Sequence, residues 1–171
     1  MPRLMMKSQH ALARPVCRMV GYLQHRLWSD HGIQLSTQFQ VYIAVVLSTL
    51  LNGCETWTQY QRHMKLVDQF HQRCLRKICK LSWTDTVANT DVLDLCSIFS
   101  VKAMIMHAQL RWAGHVVRMG PERIPNALMF GKLSSGKRSR EGQQKRYKDV
   151  LHAILKSYGI APQSFETTWI V

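Results

Sequence analysis

Apolar side chains recur along most of this chain at alternating steps of three and four, the spacing that lines one side of an α-helix. Over about residues 12–28, Val16, Met19, Val20, Leu23 and Leu27 share a face, and Pro15 is placed to begin or kink the segment. A second helix is expected from a cap at Ser36 or Thr37 to about Leu51, since Asn52 and Gly53 supply a natural stop. Its interior, Val41 to Leu51, is nearly all apolar, which predicts the most buried element of the chain. A third helix, near residues 58–81, aligns Tyr60, Met64, Val67, His71, Cys74, Ile78 and Leu81 in one packing stripe. His71 on that stripe reads as a hydrogen-bonded interior histidine, because no acid or nucleophile stands at a catalytic spacing from it.

Further on, residues 82–89 read as a loop, Thr90 or Asp91 as the cap of a short turn through Cys96, and Ser100 as the cap of a helix to about Met119. On that helix Met106, Leu110, Ala113 and Val117 recur on a packing face, while His107, Arg111, His115 and Arg118 recur on another that reaches solvent. Trp112 stands beside the packed stripe, as core or as a stacking platform. Gly120 and Pro121 end the helix, and residues 123–133 fit a short strand or a loop that tucks Leu128 and Phe130 into the core. A last helix, about residues 143–158, gathers Tyr147, Val150, Leu151, Ile154, Leu155 and Tyr158 and stops at Gly159. The fold class is mainly α, an irregular bundle of about five helices with a basic loop before the last. Residues 1–11 are expected to form a disordered or flexible basic start, 12–160 one helical domain and 161–171 an irregular tail.

Composition supports a packed core, since 46% of the 171 residues are hydrophobic and five are Trp, too apolar for a disordered tail. Charge adds a functional constraint. Twenty-three Lys and Arg against ten Asp and Glu leave +13, which favours nucleic acid or another anionic surface through long-range attraction. The apolar run at 41–51 is far short of the roughly 20 residues a bilayer-spanning helix needs, so no membrane partner is expected. Residues 1–14 interleave cations with short apolar runs, unlike a secretory signal, and a nuclear or cytoplasmic location is expected. Arg3, Lys7, Arg14, Arg18 and Arg26 precede the first acid, Asp30, as in a mitochondrial presequence, but the same bias pervades the whole chain.

Five cysteines, Cys17, Cys54, Cys74, Cys79 and Cys96, are an odd set without a CxxC pair and fit free thiols in a reducing compartment. His71, Cys74 and Cys79 invite a metal reading, but a helix turns Cys79 about 140° away from Cys74, so the three cannot converge on one ion. No metal or cofactor is expected. Catalysis is also unsupported: two-metal phosphoryl transfer needs converging carboxylates, and the closest acids, Asp91 and Asp94, read as ordinary cap and surface residues. A phosphate-cradling glycine loop, a GxSxG elbow and an HExxH helix are missing from the sequence.

Between Lys132 and Lys148 the chain places seven Lys or Arg and one acid, Glu141, among Ser, Gly and Gln. So many cations in so short a stretch repel one another unless something neutralises them, which points to phosphate. GCETW at 53–57, FHQRCLRKI at 70–78, QLRWAGHVVRM at 109–119 and GKRSR followed by KRYKD within 136–149 complete the pattern. In that order and at compatible spacing, these motifs resemble the region after the polymerase palm in LINE-type, non-long-terminal-repeat retrotransposon reverse transcriptases. The resemblance covers nearly everything from about Ala13 to Phe165.

The resemblance implies that the 12–160 domain is a thumb-like and post-thumb helical region that holds template RNA or target DNA, without the fingers and palm that carry polymerase catalysis. It therefore implies a non-enzyme whose partners are RNA or DNA, bound with little regard to sequence, and a reverse-transcriptase palm. Carried over residue by residue, the contacts are Arg111, Trp112, His115 and Arg118 on the helix, with Lys137, Arg138, Arg140, Lys145, Arg146 and Lys148 in the basic segment. Three positions depart from the family pattern. Asn52 replaces the Tyr before GCETW and would put a polar group in the interior, Glu141 interrupts a basic run, and Pro15 intrudes in the first helix. The match ends past Phe165 in ETTWIV, where members continue, so a partial or decayed copy is the expectation. The alternative function is a helical protein-interaction fragment, or an inert remnant, whose apolar surfaces packed on the missing palm.

Overall fold

In a computed structural model of the chain, residues 16–29, 32–82, 84–130, 147–157 and 159 are described below. Among them the fold is mainly α, with seven helices and no strand. Helix α1 covers residues 16–23 and continues as a π-helical turn, Gln24–Trp28. Helix α2 runs through Leu35–Val41, a π segment Tyr42–Leu47, and Ser48–Leu50. Then follow α3 (Gln61–Ile78), α4 (Asn89–Cys96), α5 (Val101–Val117), α6 (Ile124–Phe130) and α7 (Tyr147–Ser157). The expected start, tail and most of the basic loop lie outside the described residues.

The helices belong to two compact units. The first takes the described residues up to Asn52 together with Tyr60–Ala103, and the second takes Gly53–Gln59 with the described residues from Met104 onward. In the first unit Val16 and Val20 of α1 are buried as their spacing predicts, and Trp28 joins them. On α3 the interior side chains are His71, Cys74, Leu75 and Ile78, with Gln72 also buried, while Tyr60, Met64 and Val67 are only partly covered. Leu75, next to the predicted stripe, is fully buried and centres the packing face between Cys74 and Ile78.

Helix α2, the expected most buried element, is buried on one side only. Gln38, Tyr42, Val46, Leu47 and Leu50 face inward, but Ile43 is 46% and Val45 37% exposed, and Leu35 is exposed as well. A continuous apolar run carries no period, so it could not indicate which half of the helix would be covered. The π segment has a visible effect: Ser48 N–H reaches back five residues to the Ile43 carbonyl, and this widened turn directs both Val46 and Leu47 inward. Asn52 is exposed rather than interior and carries no burial cost. Gly53, at φ 70°, makes the left-handed turn that ends the rod, as expected of a glycine there.

Caps were read correctly at one helix start and wrongly at two. Ser100 Oγ accepts the Ala103 N–H at 3.3 Å and caps α5. Helix α2 begins behind Gln34 and α4 behind Ala88, both in extended conformation and neither bonding through its side chain. Ser36 and Thr37 thus fall inside the first turn of α2, and Thr90 and Asp91 inside that of α4. The α4 entry is held from outside instead, since Arg76 of α3 donates to the Val87 carbonyl at 2.6 Å and to Asn89 Oδ1 at 3.0 Å. The contact anchors the segment before the helix and does not cap its free N–H groups.

In the second unit, Ala113, Val116 and Val117 of α5, Met129 of α6, and Leu151 and Leu155 of α7 form one buried cluster, with Leu110, Trp112 and Tyr147 packed against it. Residues 124–130 are a helix, neither the strand nor the loop anticipated, and Leu128 points away from the core at 80% exposure while Met129 enters it. The Asn126 side chain donates to the carbonyls of Val116 (3.2 Å) and Met119 (3.0 Å), bonding acceptors at the end of α5 and fixing the α5–α6 turn.

Candidate nucleic-acid interface

The face α5 gives to solvent follows from the face it buries. Val101, Ile105, Gln109, Ala113, Val116 and Val117 are buried, so the Ala113 and Val117 half of the row that hydropathy selects holds, while in its first half the buried face is displaced by one position, to Ile105 and Gln109. Met106 and Leu110 are accordingly half-buried. The displacement has a polar cause, because Gln109 lies at the centre of the stripe. Its amide Nε2 donates to the Trp57 carbonyl at 2.7 Å and the Cys54 carbonyl at 3.4 Å, and its Oε1 accepts from Gln59 Nε2 at 2.8 Å. One side chain therefore binds two backbone acceptors of the turn at 54–57 and fastens GCETW to QLRWAGHVVRM. Sequence reading missed Gln109, whose partners stand 50 to 55 residues away.

Opposite that stripe, His107, Arg111, His115 and Arg118 are all exposed. At about 1.5 Å of rise per residue the row extends some 16 Å along the helix, with successive side chains about 6 Å apart. Among the described residues the Arg111, His115 and Arg118 side chains form no hydrogen bond or ion pair, so their donors face water. At the end of the row Arg118 and Arg123 line an open recess of about 530 Å³ with Met119, Gly120, Glu122 and Pro125. Glu122 works against an anion there. Its carboxylate folds over Gly120, so a Cβ at that position would push the flexible Glu122 side chain aside.

Trp112 takes the interior alternative in large part. It is half-buried against the α5–α6–α7 cluster and meets the Tyr147 ring edge-on, centroids 5.5 Å apart and planes at 90°. Burial, followed by the nearby Glu55 carboxylate and Cys54, pushes the Tyr147 hydroxyl well above the usual phenol range, so it remains protonated. Residues from GCETW, QLRWAGHVVRM and KRYKD are thus neighbours in one unit. Lys148 is half-buried at the start of α7. Lys137, Arg138, Arg140, Lys145 and Arg146 lie outside the described residues.

FHQRCLRKI belongs to the first unit, where His71 Nδ1 accepts the Tyr42 hydroxyl at 2.8 Å and the two rings stack at 24° with centroids 5.8 Å apart. Burial drives the His71 pKa down to about 4 against the opposing pull of Asp68 and the Phe99 backbone. The neutral ring is what allows Nδ1 to accept, and the pair is an interior hydrogen bond, as the stripe position of His71 predicts. Asp91 and Asp94 are exposed. Among the described residues no group of three or more His, Cys, Asp or Glu is placed to hold a metal ion, and no helix is long and apolar enough to cross a membrane. No family model, no curated protein and no solved structure matches the chain.

Proposed function

We propose that this chain is a non-catalytic nucleic-acid-binding module derived from the post-palm region of a LINE-type reverse transcriptase, acting in the nucleus or cytoplasm on the phosphates of RNA or DNA. The observation that carries the reading is the solvent-facing row of Arg111, His115 and Arg118 on α5, in a chain of net charge +13. Cations on a rigid helix neutralise phosphates and release counterions, which gives affinity without base recognition. Lys137, Arg138, Arg140, Lys145, Arg146 and Lys148 extend the contact. Trp112 supports the helix from behind, through its packing on Tyr147, more than it stacks on bases.

The test is a fluorescence-anisotropy titration of labelled RNA and duplex DNA at 50 and 200 mM salt. Four phosphate contacts weaken duplex binding by about a hundredfold over that interval. Reversing Lys137, Arg138 and Arg140 together to Glu lowers affinity and flattens the salt slope while thermal unfolding stays unchanged. Binding that ignores salt, or no binding at all, discards the reading.

A second reading has its own support. Leu35, Ile43 and Val45 of α2, with Leu66, Leu95 and Phe99, are exposed large hydrophobics in the first unit. Such side chains suit a helical interaction fragment that packs on a reverse-transcriptase palm. Its signature is a chain that self-associates or binds a hydrophobic dye strongly and leaves RNA unbound.

A further inference from the structure

We propose that Cys79 and Cys96 form a reversible disulfide, which makes the junction of α3 and α4 a site of oxidative modification by hydroperoxides. The two sulfurs are 3.4 Å apart. Each thiol stands at the C-terminal end of its helix, and the chain turns sharply after both, through Lys80 at φ 55° and Ser97 at φ 51°. The sulfurs are thus held by helix ends on one side and by loops on the other, and closing from 3.4 Å to the roughly 2.0 Å of an S–S bond asks for side-chain rotation and a small adjustment of those loops. Arg76, bonded to Val87 and Asn89, holds the α4 entry on α3 and keeps the pair in register.

Exposure divides the roles. Cys79 is half-buried and reachable by a small oxidant, whereas Cys96 is only 8% exposed. The Cys79 thiolate attacks a hydroperoxide oxygen, the O–O bond breaks, and the released alkoxide or hydroxide takes up a proton, leaving a sulfenic acid on Cys79. The Cys96 sulfur then attacks the Cys79 sulfur, its thiol proton leaves with the departing hydroxide as water, and the S–S bond forms. Overall two thiols and one hydroperoxide give one disulfide, one alcohol or water from the peroxide, and one further water. The two electrons lost by the sulfurs reduce the O–O bond.

Reversal is slow for the same structural reason. A reducing thiolate reaches the Cys79 sulfur first and must expel Cys96, whose thiol pKa burial, with the Cys79 contact, pushes up to about 12. A thiol of high pKa is a poor leaving group and, by the same shift, a slow resolving nucleophile, so both opening and closing are slow. The remaining cysteines are spaced differently: Cys54 belongs to the other unit, Cys74 is buried on α3, and Cys17 is exposed on α1.

The experiment treats the full chain with hydrogen peroxide, blocks remaining thiols with N-ethylmaleimide in denaturant, and maps tryptic peptides by mass spectrometry. The expected product joins peptide 78–80 to peptide 81–102, at the mass of two hydrogens below their sum, and dithiothreitol separates them. In Cys96→Ser, Cys79 stops at a sulfenic acid that dimedone traps; in Cys79→Ser, Cys96 remains a maleimide-reactive thiol after peroxide. If Cys96→Ser does not fold, the wild-type peptide map and Cys79→Ser decide the matter between them. Cross-linking of Cys79 to Cys17 or Cys74, or free Cys79 and Cys96 at a peroxide dose that oxidises Cys17, overturns the proposal.

Discussion

The two units solve the same problem, a polar side chain at the centre of a helix face, with different chemistry. In the first, His71 is sealed in the interior and pairs with another side chain, Tyr42. In the second, Gln109 is sealed and pairs with backbone carbonyls of a turn. A histidine can be charged by acid and an amide cannot, so the first solution is conditional on pH and the second is not. The largest expected effect follows from that difference. His71 titrates near 4 in the folded chain and near the ordinary 6.5 when unfolded. Between those values the unfolded chain binds a proton that the folded chain excludes, so stability is full above pH 6.5 and falls as pH drops towards 4. The loss is about 3 kcal/mol at its limit. Urea unfolding at pH 7 and pH 4.5, for wild type and His71→Gln, isolates it; equal pH slopes in the two proteins would break the comparison.

Next in size is the unconditional partner. Gln109→Leu keeps the volume but leaves the Trp57 carbonyl and the Gln59 amide without these bonds, while the Cys54 carbonyl retains the Trp57 N–H. About 2 kcal/mol of stability is expected to go, with little dependence on pH. Hydrogen exchange followed by mass spectrometry locates the damage, with faster exchange in 53–59 and 104–117. If 61–78 loosens equally, Gln109 does not belong to one unit in the way described.

How much of this was readable beforehand depends on whether the deciding partner was local. The α3 stripe, the Ser100 cap and the Gly53 stop depend on neighbours within a turn or two, and their residues announce them. The exposed row from His107 to Arg118 was legible for the same reason, as helical period alone sets it. Gln109 was not, because a glutamine among apolar residues reads as surface until the turn at 54–59 supplies its acceptors. Nor was the exposure of Ile43 and Val45, where the hydrophobic run lacked a period to break the tie. In the recess, Arg118 and Arg123 were visible as cations, but the Glu122 carboxylate folded over Gly120 needs the turn geometry to be seen.

A smaller effect sharpens the first unit's side of the comparison. Tyr42→Phe retains the fully buried ring and its stacking on His71 but removes the hydroxyl that Nδ1 accepts. An unpaired buried acceptor costs about 1 kcal/mol or slightly more at pH 7, read from the urea midpoint. The variant also changes the acid response, since Nδ1 no longer accepts a bond that favours the neutral ring. The folded His71 pKa moves upward, and the pH dependence flattens relative to wild type. A steeper acid loss in Tyr42→Phe would mean that the hydroxyl does not stabilise the neutral ring.

The smallest effect on stability is expected where the proposed function is concentrated. Arg111 and Arg118 are exposed and form no bond within the described residues, so Arg111→Glu with Arg118→Glu removes no packing and leaves no buried group unpaired. Surface changes of this kind stay within about 0.5 kcal/mol. RNA affinity is expected to fall well beyond that, and the slope of log affinity against log salt to drop by about 2 as two phosphate contacts are lost. The contrast with Gln109, on the opposite face of the same helix, is the informative part. Gln109→Leu should lower the unfolding midpoint and leave the salt slope of the remaining folded protein intact, whereas the double reversal should do the opposite. A helix that separates holding from binding by face in this way would lose both together only if Arg111 and Arg118 also supported the fold, and a lowered melting temperature in the double reversal is the measurement that would reveal it.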